Sequence, residues 1–193
     1  PNLYSGLLTL LPDLQADLAY AVEGYTNTYG NIWRWDILPT NTEVEAVYGT
    51  LNALIGKCNF LLERIAILEQ EVDDEDYEKL QQFKGEALFA RALAYSDLIK
   101  MYCKAYDPAT AANELGVVLV SSYSNTGTLK RASLKDSYQF VLDDLAQSAT
   151  CLEPDENEND ESYYDTPYFT IYAVNALYAR VYLNMQEWDK AIE

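Results

Sequence analysis

The stretch LQQFKGEALFARALAYSDLIKMY, Leu80 to Tyr102, leaves the least choice of fold. Apolar or small residues recur at Leu80, Phe83, Ala87, Ala90, Ala94, Leu98 and Met101, the spacing that keeps one face of a helix dry. A second row, Leu88, Ala92, Tyr95, Ile99 and Tyr102, lies beside it, so this helix meets neighbours on two sides. Gly85 and the alanines between 87 and 94 add little bulk and let other helices approach closely. A glycine costs about 1 kcal/mol relative to alanine in a free helix, so packing has to offset Gly85. The expectation is a central helix in an all-α core.

The flanking sequence extends that reading. Leu3, Leu7, Leu10, Leu11, Leu14, Leu18 and Val22 form a helical stripe, which Pro12 either kinks or splits. Gly24 to Asn41, GYTNTYGNIWRWDILPTN, reads as a long loop, and loops of that length are commonly functional or disordered. Asn41 or Thr42 caps a helix that ends near Glu69, with Glu43 and Glu45 favourable in its first turn. The acidic run EVDDEDYE at 71–78 reads as a solvated turn, because it lacks the spacing and glycine of a calcium loop. After Asp107-Pro108 the chain turns irregular, with GVVLV at 116–120 as a short extended run. Ser133 with Asp136 is a near capping box ahead of a helix whose dry face is Leu134, Tyr138, Val141, Leu142, Leu145 and Ala149. EPDENENDE at 153–161 reads as a second acidic loop. Thr166-Pro167 looks like the start of a last full helix through Met185, followed by another at Trp188. The fold class expected is all-α, about six helices with long irregular loops, the later four as two tetratricopeptide-like pairs.

Charge and composition remove whole classes of function. With 31 acidic and 13 basic side chains the formal net charge is -18, which repels phosphate backbones and anionic lipid and argues against nucleic acid. The chain has no His, so the commonest general base and the commonest zinc ligand are both missing. Cys58, Cys103 and Cys151 lack metal-ligand spacing and read as small apolar residues, so no metal and no cofactor is expected. Asp143 and Asp144 are neighbours on a helix and point about 100° apart, so they do not converge as an acid pair. No Ser-His, Cys-His or phosphate-loop pattern is present, and no catalytic residue is assigned. Arg91 and Arg180 lie beside apolar rows; a buried Arg there would organise an acidic neighbour such as Asp97 or Asp144. No run of about 18 apolar residues is available to span a membrane. The chain opens in an apolar pattern and closes on WDKAIE, so residues 1–193 are expected to be a single helical domain taken from a longer protein, in which missing targeting signals say nothing about compartment.

Small Ala179, Tyr182 three residues later and Ala191 match a tetratricopeptide-like pattern, and Ala92 with Tyr95 repeats its first part. IGKCN (55–59), GEALFARALAY (85–95), GVVLV (116–120), RASLKDSYQFVLDDL (131–145) and NALYARVYLNMQEWDKAI (175–192) stand in the order of the motifs of the SusD/RagB family. The chain therefore resembles the N-terminal region of that family over nearly its whole length. Tyr48, Asn52 and Val118 depart from the family pattern at packing positions. The resemblance implies a non-catalytic, surface-exposed outer-membrane lipoprotein. Such a protein captures an oligosaccharide or polysaccharide as the lid of a SusC-like TonB-dependent transporter. Its lipid anchor would lie upstream of Pro1, so none of the three Cys can carry it. The competing class is a helical-repeat adaptor that holds a peptide or protein partner in a concave groove.

Sugar rings stack their C–H faces on flat aromatic rings and place their hydroxyls on amides and carboxylates. NIWRWD at 31–36 offers both kinds of group, so Trp33, Trp35 and Asn31 are the candidate glycan contacts. The alternative is that a Trp folds back to cover helix ends. An extended loop would turn both Trp to one side, whereas a coiled one would present a single Trp.

Overall fold

The computed structural model describes residues 4–22, 28–123, 127–152 and 168–192. They form seven helices and one small sheet: α1 (Leu7–Gln15), α2 (Gly30–Trp33), α3 (Thr42–Leu68), α4 (Asp74–Tyr102), β1 (Leu115–Val118), β2 (Arg131–Ser133), α5 (Leu134–Cys151), α6 (Ile171–Asn184) and α7 (Trp188–Ile192). The chain divides into two compact units, Pro1–Asn52 and Ala53–Glu193.

In the first unit, α1 is one helix with Pro12 inside it, so the proline neither splits nor ends it. Leu11 and Leu14 are buried, but Leu18 and Val22 are among the exposed apolar residues. The expected stripe stops with the helix at Gln15, and Asp17 takes a left-handed φ of 58° just beyond it. The region read as a loop holds a full helical turn, α2, which packs against α1. Four residues are too short to show a period, which is why the pattern hid it.

The second unit is built on α4 and α5. Ser148 donates to the Gly85 carbonyl (2.8 Å), Arg91 meets Asp144, and Tyr95 packs edge-to-face on Phe140 at 5.1 Å between centroids. Contacts that rise along α4 and fall along α5 make the pair antiparallel. Ala92, Ala94, Tyr95, Leu98 and Ile99 on α4, and Leu134, Val141 and Leu145 on α5, are almost fully buried. A Cβ on Gly85 would meet Leu152 Cγ at 2.6 Å and Cys151 Cβ at 2.9 Å, so the glycine permits this approach. The acidic run 71–78 is only partly a turn. Asp73 caps α4 by accepting from Asp76 N (3.1 Å), so α4 begins six residues before Leu80, with carboxylates beside its positive end.

Ser133 caps α5 by accepting from Asp136 N (3.0 Å), as the near capping box predicts. The extended run is strand β1, antiparallel to β2 with Leu115 opposite Ser133 and Val118 opposite Arg131. The helix expected from Thr166-Pro167 starts outside the described residues, and α6 is described from Ile171. α6 packs on α5 and α7 on α6, continuing the tetratricopeptide-like pairing. Many tyrosines serve this packing: Tyr95, Tyr106 and Tyr138 are all buried.

Candidate functional site

The segment NIWRWD folds as a tight turn bracketed by two aromatic residues in left-handed backbone, Tyr29 (φ 60°) and Trp35 (φ 60°). Such a conformation crowds the Cβ of a non-glycine residue, so it persists only where surrounding bonds enforce it. Here they do. Trp33 N donates to Tyr29 O (3.0 Å), Arg34 N to Gly30 O (3.0 Å), Trp35 N to Ile32 O (3.1 Å) and Asp36 N to Asn31 O (2.9 Å). Ile32 anchors the turn with 2% of its surface exposed.

The two tryptophans therefore part company. Trp33 is half-buried, while Trp35 leaves 64% of its surface in solvent. The turn is coiled, so they do not form a shared platform, and Trp35 is the one open ring. Asn31 is exposed, and its Oδ1 accepts from Arg34 Nη2 at 3.0 Å. Trp35, Asn31, Arg34 and Asp36 thus gather a flat apolar face, an amide, a guanidinium and a carboxylate on one turn. Sequence reasoning passed over Arg34. The signal was available: it is the only basic residue among the first 52.

The second unit keeps its polar groups inside. Arg91 donates from Nε to Asp144 Oδ2 (2.8 Å), from Nη2 to Asp144 Oδ1 (2.6 Å) and from Nη1 to Asn59 Oδ1 (2.7 Å). Asn59 Nδ2 donates on to Val120 O (2.8 Å), and Tyr95 OH accepts from Val120 N (2.8 Å). Burial pushes the Asp144 carboxyl up, against the pull of Arg91. This network pins the irregular segment that follows β1, through Val120, to α3, α4 and α5, which is a structural task. Of the two acidic partners expected for Arg91, Asp97 stays out. One of its oxygens lies 3.5 Å from Lys100 and the other, Oδ2, has no hydrogen-bond partner among the described residues. Arg180 is exposed and organises no buried acid among the described residues.

A groove of about 390 Å³ lies between α5, α6 and α7, lined by Lys135, Gln139, Asp143, Tyr178, Tyr182 and Lys190 among others. Tyr178 and Tyr182 stack at 5.9 Å, and Lys190 Nζ sits 5.5 Å over the Tyr182 ring. Burial pushes the Tyr178 hydroxyl up to about 12, so it remains protonated at neutral pH. Cys58 is buried, Cys103 and Cys151 are half-buried, and all three are free thiols raised by burial. Among the described residues no group of three or more His, Cys, Asp or Glu is placed to hold a metal ion, and no helix is long and apolar enough to cross a membrane.

Residues 10–183 match the SusD-like_3 family, described as starch-binding associating with outer membrane. The chain belongs to the SusD-like family. Solved structures share its fold. A SusD superfamily protein from Bacteroides thetaiotaomicron is 23% identical with a TM-score of 0.69, over 90% of this chain and 35% of that one. A putative sugar binding protein from Bacteroides vulgatus is 25% identical with a TM-score of 0.68, over 84% of this chain and 34% of that one. A SusD-like carbohydrate binding protein from Bacteroides vulgatus is 16% identical with a TM-score of 0.74, over 97% of this chain and 37% of that one. The SusD-like chain thus spans about a third of the length of these structures. No curated protein matches the sequence.

Proposed function

We propose that this chain is the helical domain of a longer SusD-like lipoprotein that binds a glycan at the outer membrane, without catalysis, and hands it to a SusC-like TonB-dependent transporter. Membership of the family supports the glycan reading, because its description is starch-binding associating with outer membrane. The local observation that carries it is Trp35, a ring held open to solvent by a backbone conformation that costs energy to maintain. Trp35 stacks on the C–H face of a sugar ring, while Asn31 and Asp36 meet its hydroxyls. Trp33, half-buried, steadies the turn or contributes an edge.

The groove between α5, α6 and α7 supports a second reading, a peptide-binding adaptor, because its tyrosine rings already engage one another and Lys190. Rings so engaged offer a sugar little free face.

Calorimetric titration of starch-derived oligosaccharides into the complete protein tests the proposal. Trp35→Ala should weaken binding about five- to thirtyfold, the ~1–2 kcal/mol of a stacking contact. The melting temperature should stay put, since an exposed loop ring carries little folding energy. Unchanged affinity in Trp35→Ala removes the turn as the sugar platform.

A further inference from the structure

We propose that Arg34 makes the turn select glycans that carry a carboxylate, so that the preferred ligand contains a uronic acid. This inference rests on the reading of Trp35 as the sugar platform and names the substrate class of that same site. Three observations converge on Arg34. It is the only Lys or Arg among residues 1–52, a stretch that carries Asp13, Asp17, Glu23, Asp36, Glu43 and Glu45. Its guanidinium makes no ion pair among the described residues, although Asp36 is two residues away; its partner is the neutral Oδ1 of Asn31 (3.0 Å). It also sits next to Trp35, at the end of the one-turn helix that the two left-handed residues bracket.

A guanidinium held by an amide keeps its whole charge, and one N–H in that bond leaves four donors for a ligand. Their planar fork matches a carboxylate bidentately, a geometry that a lysine cannot supply. The surrounding field makes this choice informative. A chain of net charge -18 repels an acidic polysaccharide at long range, so uronate capture needs a local cation that no protein carboxylate has already neutralised. A neutral glycan needs none. Among the described residues Arg34 meets that requirement, and its place beside Trp35 in the chain puts a charged donor and a stacking ring on the same short turn. Hexuronates fit this arrangement: their ring C–H groups stack, and their carboxylate lies at the ring periphery.

The test compares oligogalacturonate and glucuronate-containing oligosaccharides with their methyl esters, which keep the sugar and remove the charge. Binding to the complete protein is read by calorimetry at low and high salt. Wild type should prefer the acids about tenfold or more, as a charge-assisted bidentate contact predicts. Added salt should narrow the preference. Arg34→Gln should bring the ratio of acid to ester affinity close to one, and Arg34→Lys should recover it only in part. Trp35→Ala should weaken acids and esters alike. No preference for acids in wild type, or a preference that survives Arg34→Gln, overturns the inference and leaves the Trp35 reading standing. Loss of nothing in Trp35→Ala overturns that reading instead. Sulfated oligosaccharides form the third arm. If they bind through Arg34 while uronates do not, the carboxylate assignment is wrong.

Discussion

Two arginines in this molecule do opposite things with the same guanidinium. Arg91 lies in the α4–α5 pair with 8% of its side chain exposed, clasped by both oxygens of Asp144 and by Asn59. Arg34 lies on an exposed turn with one neutral partner among the described residues. The first arrangement satisfies a charge that burial would otherwise make costly. The second leaves a charge in water, where it costs nothing and stays available. A charge spent inside a fold serves the fold, whereas Arg34 makes no ion pair among the described residues and, on our proposal, serves a ligand. The same contrast runs through the aromatics, with Tyr95 fully buried between α4 and α5 and Trp35 mostly exposed.

Breaking the inner half of the comparison should produce the largest effect. Arg91→Met leaves Asp144 buried without its cation and should cost about 3–5 kcal/mol of stability in urea unfolding. Replacing the pair together, Arg91→Met with Asp144→Leu, should recover most of that loss, because no uncompensated charge remains. The single variant should also gain stability on mild acidification. Burial raises the Asp144 pKa above its ordinary 3.8, so between the two values the folded state binds more protons than the unfolded one, and stability falls as pH rises. A single variant as stable as wild type would mean that water reaches Asp144, and the contrast with Arg34 would collapse.

Glycines sharpen the same distinction at smaller amplitude. Gly85→Ala drives a methyl into Leu152 and Cys151, and overpacking of that kind typically costs about 1–3 kcal/mol, against about 1 kcal/mol of helix propensity gained. A net loss is expected. Gly49 lies in α3 within the first unit with nothing inside 4 Å of a new Cβ, so Gly49→Ala should stabilise by several tenths of a kcal/mol, up to about 1. Thermal melting of both variants checks the opposite signs.

Where the sequence repeats a period it announces its structure, and where it does not the site hides. α4 is legible from Leu80 to Tyr102 because two apolar rows run along that stretch. Arg91 is legible as a buried cation because it lies beside those rows, and Asp144, one of its two expected partners, stands with Val141, Leu145 and Ser148 among the buried residues of α5. The acidic opening of α4 was missed because carboxylates at a helix start resemble those of a solvated turn until a cap such as Asp73 is weighed with them. α2 was missed for a deeper reason. Four residues carry no period, and a left-handed Tyr29 or Trp35 is dictated by the bonds around it and not by residue type. That backbone leaves Trp35 mostly in solvent and Trp33 half-buried. The sequence could name both tryptophans but could not choose between them.

The smallest effect belongs to an ion pair whose exposure is intermediate between those of the two arginines. Lys84 and Glu69 meet at 2.8 Å near the α3–α4 connection, with 32% and 19% of their side chains exposed, and Gln81 donates to the same carboxylate oxygen at 2.6 Å. The Lys84 hydrogen bond holds the Glu69 carboxyl below its ordinary 4.5, with burial opposing and Gln81 adding to the pull. Lys84 is raised in turn, chiefly by the same hydrogen bond. The folded state therefore binds fewer protons at Glu69 than the unfolded chain, and this contribution is complete above the unfolded value near 4.5 and fades as pH falls through the lower folded one. Partial exposure lets solvent screen the pair, so Glu69→Gln should cost less than about 1 kcal/mol at pH 7. The gap between wild type and variant should shrink when unfolding is repeated near pH 3 or in high salt. A gap that survives acid would assign the effect to the Gln81 hydrogen bond. A gap as large as that of Arg91→Met would mean that a half-exposed pair behaves like a buried one, and burial would no longer explain why the two arginines differ.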